Sequence, residues 1–240
     1  LVPLVAAYFR PDSLDEALSL LAGPHRIVLG GGTTINSDRQ RSDVEVVDLQ
    51  ALGLDSIESS ETELRIGATA TLADVAGSDQ VPDGLRAIAR RESPSTLRTL
   101  ATIGGLIASA HPDSVLLAAL LVHGASVDLA GSEAMPLASV LAQGVPSQAI
   151  ITAVRLDPTG VLCHAATGRT PADVPIVAAV ARAGAGGISL ALTGVAATPI
   201  TVDPDDPVGG LAPPGDFRGS SGYRVELAGV LAARALGGLR

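Results

Sequence analysis

The sequence predicts an α+β protein, on three observations. Short β-like runs alternate with amphipathic helical runs over most of the chain. Two apolar approaches break into adjacent glycines, at Gly30-Gly31-Gly32 and at Gly104-Gly105. After Asp157-Pro158 the pattern changes to a smaller strand–helix–strand group closed by a long helix, which places a domain boundary near residue 158.

In chain order, residues 4–9 read as a first strand. Ser13 and Glu16 make a capping box, in which each side chain satisfies an orphan N–H of the opening turn. Leu14, Ala17, Leu18 and Leu21 then form one apolar face, and Gly23-Pro24 stops the helix. Residues 27–29 are a short buried strand running into the first glycine turn. Residues 44–48 and 64–68 are further strands. Thr71-x-x-Asp74 starts a short helix, Asp83 caps another through Glu92, and Pro94 ends that pattern. A helix is expected over 112–122, because proline is tolerated in a first turn. Residues 126–129 and 149–156 read as strands. Beyond the boundary come a strand over 161–166, a helix over 172–183, a strand over 188–196, an irregular proline-rich loop over 198–217 and a helix over 220–236.

Composition narrows the function. Hydrophobic residues make up 47% and charged residues 17%, the balance of a folded chain. Aromatic residues are only 2%, so the core must be built from Ala, Val, Leu and Ile. Net charge is −9, and all 16 basic residues are arginine. An acidic chain without a basic stripe is a poor nucleic-acid ligand. The absence of lysine rules out Schiff-base chemistry. A lone Cys163 excludes an internal disulfide and an iron–sulfur cluster carried by this chain. No apolar run reaches the ~18 residues of a membrane span, and no basic, apolar leader opens the sequence. A cytoplasmic location is expected.

The chemistry-bearing stretches are the two glycine turns. Adjacent glycines leave backbone N–H groups uncovered and free to take positive φ. Several N–H dipoles converging on one concave spot make an anion cradle. Two cradles in one chain predict a dinucleotide held from both sides.

These residues resemble a known family, the flavin-binding subunits and domains of the molybdenum hydroxylases. The resemblance rests on Tyr8-x-Arg10-Pro11-x-Ser13-Leu14-Asp15-Glu16-Ala17-Leu18, then Gly31-Gly32-Thr33, then Val46-Val47-Asp48-Leu49. It continues through Ile66-Gly67-Ala68 and Leu97-Arg98-Thr99-Leu100-Ala101-Thr102-Ile103-Gly104-Gly105. It closes on Arg169 with Asp173, Ser221-x-Tyr223-Arg224 and Arg234-Ala235-Leu236. It implies an FAD-binding domain over 1–158, in subdomains of about 1–58 and 59–158, and a small C-terminal sheet-and-helix domain over 159–240. It also implies FAD as cofactor, with Gly30, Gly31, Gly32, Thr33 and Thr34 on one side. Thr102, Ile103, Gly104 and Gly105 would hold the other side, with Ile150 or Ile151 near the ring. The implied partners are a molybdenum-binding large subunit and a 2Fe–2S small subunit, and a homo-oligomer is compatible with it. The implied activity is electron transfer to an external acceptor.

Four positions depart from the family pattern. Leu106 follows the second glycine pair, where a small polar residue is usual, and Val115 stands where an acid is expected. Thr34 replaces a frequent Asp, and Ala165 lies where some members place a lysine. They leave open an alternative, a flavin-less relative using the cleft for redox-neutral cyclisation or rearrangement. Leu106, His111 and Val115 would then line a substrate pocket. The four histidines lack metal-ligand spacing, so no metal is expected. Cys163 and His164 are strand neighbours that point to opposite faces. Arg90-Arg91-Glu92 reads as an exposed helix end, Asp203, Asp205 and Asp206 as a solvated loop cluster. Arg98 is placed either to meet a phosphate or to brace the glycine turn.

Overall fold

The computed structural model describes residues 5–34, 44–168 and 173–240. They form three sheets. The first is parallel, with strand order β1 (Ala7–Phe9), β3 (Glu45–Asp48), β2 (Arg26–Leu29). Helix α1 (Leu14–Leu21) crosses over between β1 and β2, capped by Ser13, whose hydroxyl accepts from Glu16 N–H. Ala17 of α1, Val47 of β3 and Leu49 just beyond it bury a small core. The Tyr8 hydroxyl donates to buried Asp48, clipping β1 to β3.

The second sheet has five strands, in the order β4 (Ile57–Ser59), β5 (Leu64–Gly67), β8 (Ile150–Leu156), β6 (Ser126–Ala130), β7 (Met135–Pro136). Against it pack α2 (Leu72–Gly77), α3 (Asp83–Glu92), α5 (Ile103–Ser109), α6 (Val115–Val122) and α7 (Leu137–Gln143), in the largest core. A short helix α4 (Ser95–Arg98) precedes α5. Thr71 and Asp74 complete the expected capping box of α2. Asp83 is the first helical residue of α3, with Pro82 in the cap position. Helix α6 starts after Ser114, three residues later than expected, because the Ser114 hydroxyl accepts from Leu117 N–H and takes the cap. Residues 116–122 of α6 are all buried, as a helix apolar on every side must be.

The third sheet is antiparallel, in the order β12 (Ile200–Val202), β11 (Gly187–Thr193), β10 (Val177–Gly184), β9 (Val161–Thr167). Here the sequence reading fails for the expected helix over 172–183, since β10 occupies its place. Ala179 and Ala181 face the C-terminal helix α8 (Ser221–Gly237), while Val180 joins the core around α6. A strand buried on both faces shows no polar alternation, and its alanines then read as helix. The strand β12 lies inside the expected irregular loop. Arg169 falls outside the described residues.

The turn between β8 and β9 is pinned from two sides. Arg182 Nε donates to Thr159 O at 2.9 Å and its Nη2 pairs with Asp157. Buried His123 meets Asp157 O through Nδ1 at 2.7 Å, while its Nε2 is buried without a partner. Facing a carbonyl, Nδ1 carries the proton, and the ring is neutral. Burial first, and the Arg182 charge next among the lowering influences, hold the His123 pKa below its ordinary 6.5. The unfolded chain therefore binds the extra proton more readily, so stability falls as pH drops through 6.5. Thermal midpoints measured from pH 7.5 to 5 are expected to decline. His123→Gln should flatten that decline, leaving the shallower slope of His164, whose pKa is also lowered.

Candidate functional site

The first glycine turn leaves the carboxyl end of β2, the end of a parallel sheet where ligands ordinarily bind. Its position is fixed by the second turn. A Cβ on Gly31 would lie 1.6 Å from Leu100 O, and one on Gly30 would lie 2.8 Å from Thr102 Oγ1. The two glycine turns therefore touch, although some seventy residues of sequence lie between them. Gly32 takes φ of 71°, which favours glycine. Among the described residues nothing accepts from the N–H groups of Gly31, Gly32 or Thr33, so these remain open donors.

The second turn differs from the expected cradle. Gly104 and Gly105 lie inside α5 with no positive φ. Ile103 N–H donates to Ala70 O and Gly104 N–H to Ala68 O, both at 2.9 Å. Gly105 N–H donates to Thr102 Oγ1 at 3.1 Å, and Leu106 N–H to Thr102 O at 2.9 Å. Gly104 is glycine because its Cβ would come within 2.8 Å of Ala68 O. Gly104 serves close packing, and the N–H groups of both glycines are spent inside the protein.

Between the two turns and the third sheet runs a cleft of about 1210 Å³. Gly30, Gly31, Gly32, Thr33 and Thr34 line one side, Thr102, Gly105 and Leu106 another, and His111 and Val115 contribute further along. Three expected site residues stand apart from this lining. Ile103 and Gly104 are buried beneath it, and Ile150 packs with Ala17 and Val47 in the first-sheet core. Ile151, the alternative, is buried in the central core. Strand alternation also moves Ala165 out, since it packs toward α8 while His164 and Ala166 line the cleft. Cys163 shares the outward parity, and its Sγ lies close to Gly238.

The acids of the cleft are largely committed. Glu92 accepts from Leu116 N–H at 2.9 Å, capping α6 from the end of α3, and its enclosure raises its pKa. Asp113 is buried and pairs with Arg218 Nη2 at 2.5 Å. Arg218 in turn lies 3.6 Å from Asp216, which pairs with buried Arg224 at 2.7 Å. That pairing, with N–H donors from Arg218 and Gly219, lowers the Asp216 pKa to about 2. Arg224 also donates to Ile176 O and Gly194 O, and Gly194 N–H donates to Pro112 O at 2.9 Å. A chain of charges thus ties the C-terminal segment to the cleft wall. Arg98 is a brace, donating to Arg90 O and to Ser93 O. Arg90, Arg91 and His164 were not expected in the site, yet all three line the cleft. The signal was available for the arginines: they lie one turn beyond buried Ile88 on the helix leading to Pro94 and the second glycine turn.

Comparisons with known proteins bear directly on this geometry. Residues 4–158 match the sequence model of the FAD binding domain in molybdopterin dehydrogenase. The chain belongs to this family. It is 29% identical to the carbon monoxide dehydrogenase medium chain of Afipia carboxidovorans, over 98% of this chain and 97% of that one. It is also 29% identical to the uncharacterized protein YgfM of Escherichia coli K12, over 96% of this chain and 95% of the relative. A solved Cu,Mo-CO dehydrogenase matches with a TM-score of 0.87 at 25% identity, covering 100% of this chain and 99% of that one. A carbon monoxide dehydrogenase from Hydrogenophaga pseudoflava shares the fold, with a TM-score of 0.89 at 20% identity over 100% and 98% of the two chains.

The residues present fit the family's cofactor, FAD. Open N–H donors at Gly31, Gly32 and Thr33 suit a diphosphate. The apolar Leu106 and Val115 offer walls for a flat ring system, and the volume admits an extended dinucleotide. Among the described residues there is no cluster of metal-ligand type, and no helix long and apolar enough to cross a membrane.

Proposed function

We propose that this chain is the FAD-binding electron-transfer subunit of a molybdenum-hydroxylase-like oxidoreductase. It would take electrons from a 2Fe–2S small subunit, fed by a molybdenum-binding large subunit, and deliver them to an external acceptor. The observation that carries this reading is the set of N–H groups with no acceptor among the described residues at Gly31, Gly32 and Thr33, residues that line the cleft of a chain from an FAD-binding family. Its likeness in length and sequence to a carbon monoxide dehydrogenase medium chain supports the partnered role.

Bound flavin would supply the redox chemistry, accepting and releasing electrons. The protein's own task is positioning. The Gly30–Thr34 turn would hold the diphosphate through the backbone N–H groups of Gly31, Gly32 and Thr33. Thr102 stands close against Gly30, and Leu106 and Val115 would exclude water from the apolar part of the cleft. Residues 1–158 would form the cofactor domain, in two subdomains, with residues 159–240 closing the far side. The redox-neutral alternative gains no support from the comparisons.

The test is an absorption spectrum of the purified protein, before and after incubation with FAD. Flavin bands in the near-ultraviolet and blue at about one equivalent per chain are expected. Colourless protein that takes up no FAD overturns the reading. Co-purification of molybdenum and iron–sulfur subunits from the native source would check the partnered role.

A further inference from the structure

The connection between α5 and α6 is held more firmly than an exposed turn requires. Ala110 takes a left-handed φ of 47°, a conformation that is costly for a residue with a Cβ. Pro112 O accepts from Gly194 N–H at 2.9 Å, and Asp113 pairs with Arg218 Nη2 at 2.5 Å. Two bonds from distant parts of the chain thus fix the two residues that follow His111. His111 O accepts from Ser114 N–H at 3.1 Å and closes the turn.

His111 lines the cleft, and two observations locate its ring. Nδ1 accepts from Asp113 N–H at 3.4 Å. The imidazole also lies near enough to Glu92, another cleft residue, for a charge on the ring to be felt at that carboxyl. With Nδ1 facing an N–H, the neutral ring carries its proton on Nε2. Among the described residues nothing accepts from that Nε2–H. The other polar side chains of this stretch are spent: Ser109 donates to Leu106 O, Asp113 is paired, and Ser114 caps α6. An exposed loop histidine would account for the free donor, but not for the bracing on both sides of it.

We propose that His111 is a neutral hydrogen-bond donor to the ligand of the cleft, serving an acceptor atom of a flat heterocycle and not a phosphate. Charged oxygens are matched by the N–H groups of Gly31, Gly32 and Thr33 at the other turn. His111 belongs instead to the stretch of lining that includes Leu106 and Val115, the apolar walls for a ring. Resting on the flavin reading above, the acceptor is a carbonyl oxygen or ring nitrogen of the isoalloxazine. The reduced ring is the more electron-rich, so a donor holds it more tightly than the oxidised ring.

The test compares wild type with His111→Leu, which removes the donor, and His111→Gln, which keeps an N–H at similar reach. FAD affinity is read by fluorescence quenching, and the midpoint potential of bound flavin by reduction against a reference dye. His111 is exposed, so flavin-free variants should melt within about 2 °C of wild type, the control for folding. His111→Leu is expected to bind oxidised FAD about fivefold more weakly, the worth of one hydrogen bond. Reduced FAD should lose about tenfold more, which lowers the two-electron potential by about 30 mV. His111→Gln should recover most of both effects. Unchanged affinity and potential in His111→Leu overturn the inference, as does an equal loss in His111→Gln, which would make shape and not the donor decisive. Weaker binding at an unchanged potential would assign His111 to the diphosphate end and overturn the ring contact. Wild-type protein that takes up no FAD overturns the flavin reading itself, and this inference with it.

Discussion

Gly31→Ala is expected to weaken FAD binding by about a hundredfold. The new Cβ would lie 1.6 Å from Leu100 O and 2.5 Å from its carbonyl carbon, and both are backbone atoms. No side-chain rotation relieves such a clash, so one glycine turn must withdraw from the other. Overpacking of this kind costs about 1–3 kcal/mol, and each ~1.4 kcal/mol is a tenfold change in affinity. Because the clash opens the contact between the two turns, the loss should fall on cofactor affinity as well as on stability. Gly105→Ala is the control, since its Cβ meets only Thr102 Oγ1, at 3.1 Å. Fluorescence quenching on FAD titration, with thermal midpoints for both variants, decides the matter. Wild-type affinity in Gly31→Ala would show that the first turn does not need its contact with Leu100.

Arg224→Met should be the most destabilising single change outside the apolar core. Arg224 is 4% exposed and donates to Ile176 O at 3.1 Å and Gly194 O at 2.7 Å. Methionine fills much of the space but leaves two carbonyls without donors, at about 1–3 kcal/mol each where burial is complete. Asp216 is partly exposed and finds water, so its lost partner adds little. A total of about 2–4 kcal/mol corresponds to roughly 5–15 °C in a chain of this size. Arg224→Lys should fall between, keeping the charge but losing the fork. A midpoint within 2 °C of wild type, about the shift of a surface substitution, would rule out a structural role for these bonds. Asp216 gives the matching acid-side effect: its pKa, lowered to about 2, supplies stability that is present above 3.8 and fades as pH falls toward 2.

Much of this was legible in the sequence. The caps at Ser13 and Thr71 announced α1 and α2, because capping is a contact between residues three apart. The glycine turns identified the cleft and the family. The mistakes share one cause. Gly104 looked like an open cradle because a string of residues does not reveal that Ala68 O accepts from its N–H and Ala70 O from that of Ile103. Ala165 and Ile150 were placed by spacing, whereas strand parity and a joint between two cores decide where they point. The residues 177–183 read as helix because their alanines favour it, while packing between α6 and α8 made them strand.

By itself, the sequence determined what local chemistry can encode: most helix starts, the short strand running into the first glycine turn and the exclusion of lysine, disulfide and basic-patch functions. Tertiary structure alone decided which N–H groups stay open and which arginines are spent on backbone carbonyls. The reason is physical. A donor or a charge is available to a ligand only if no partner distant in the chain has already satisfied it, and folding assigns those partners.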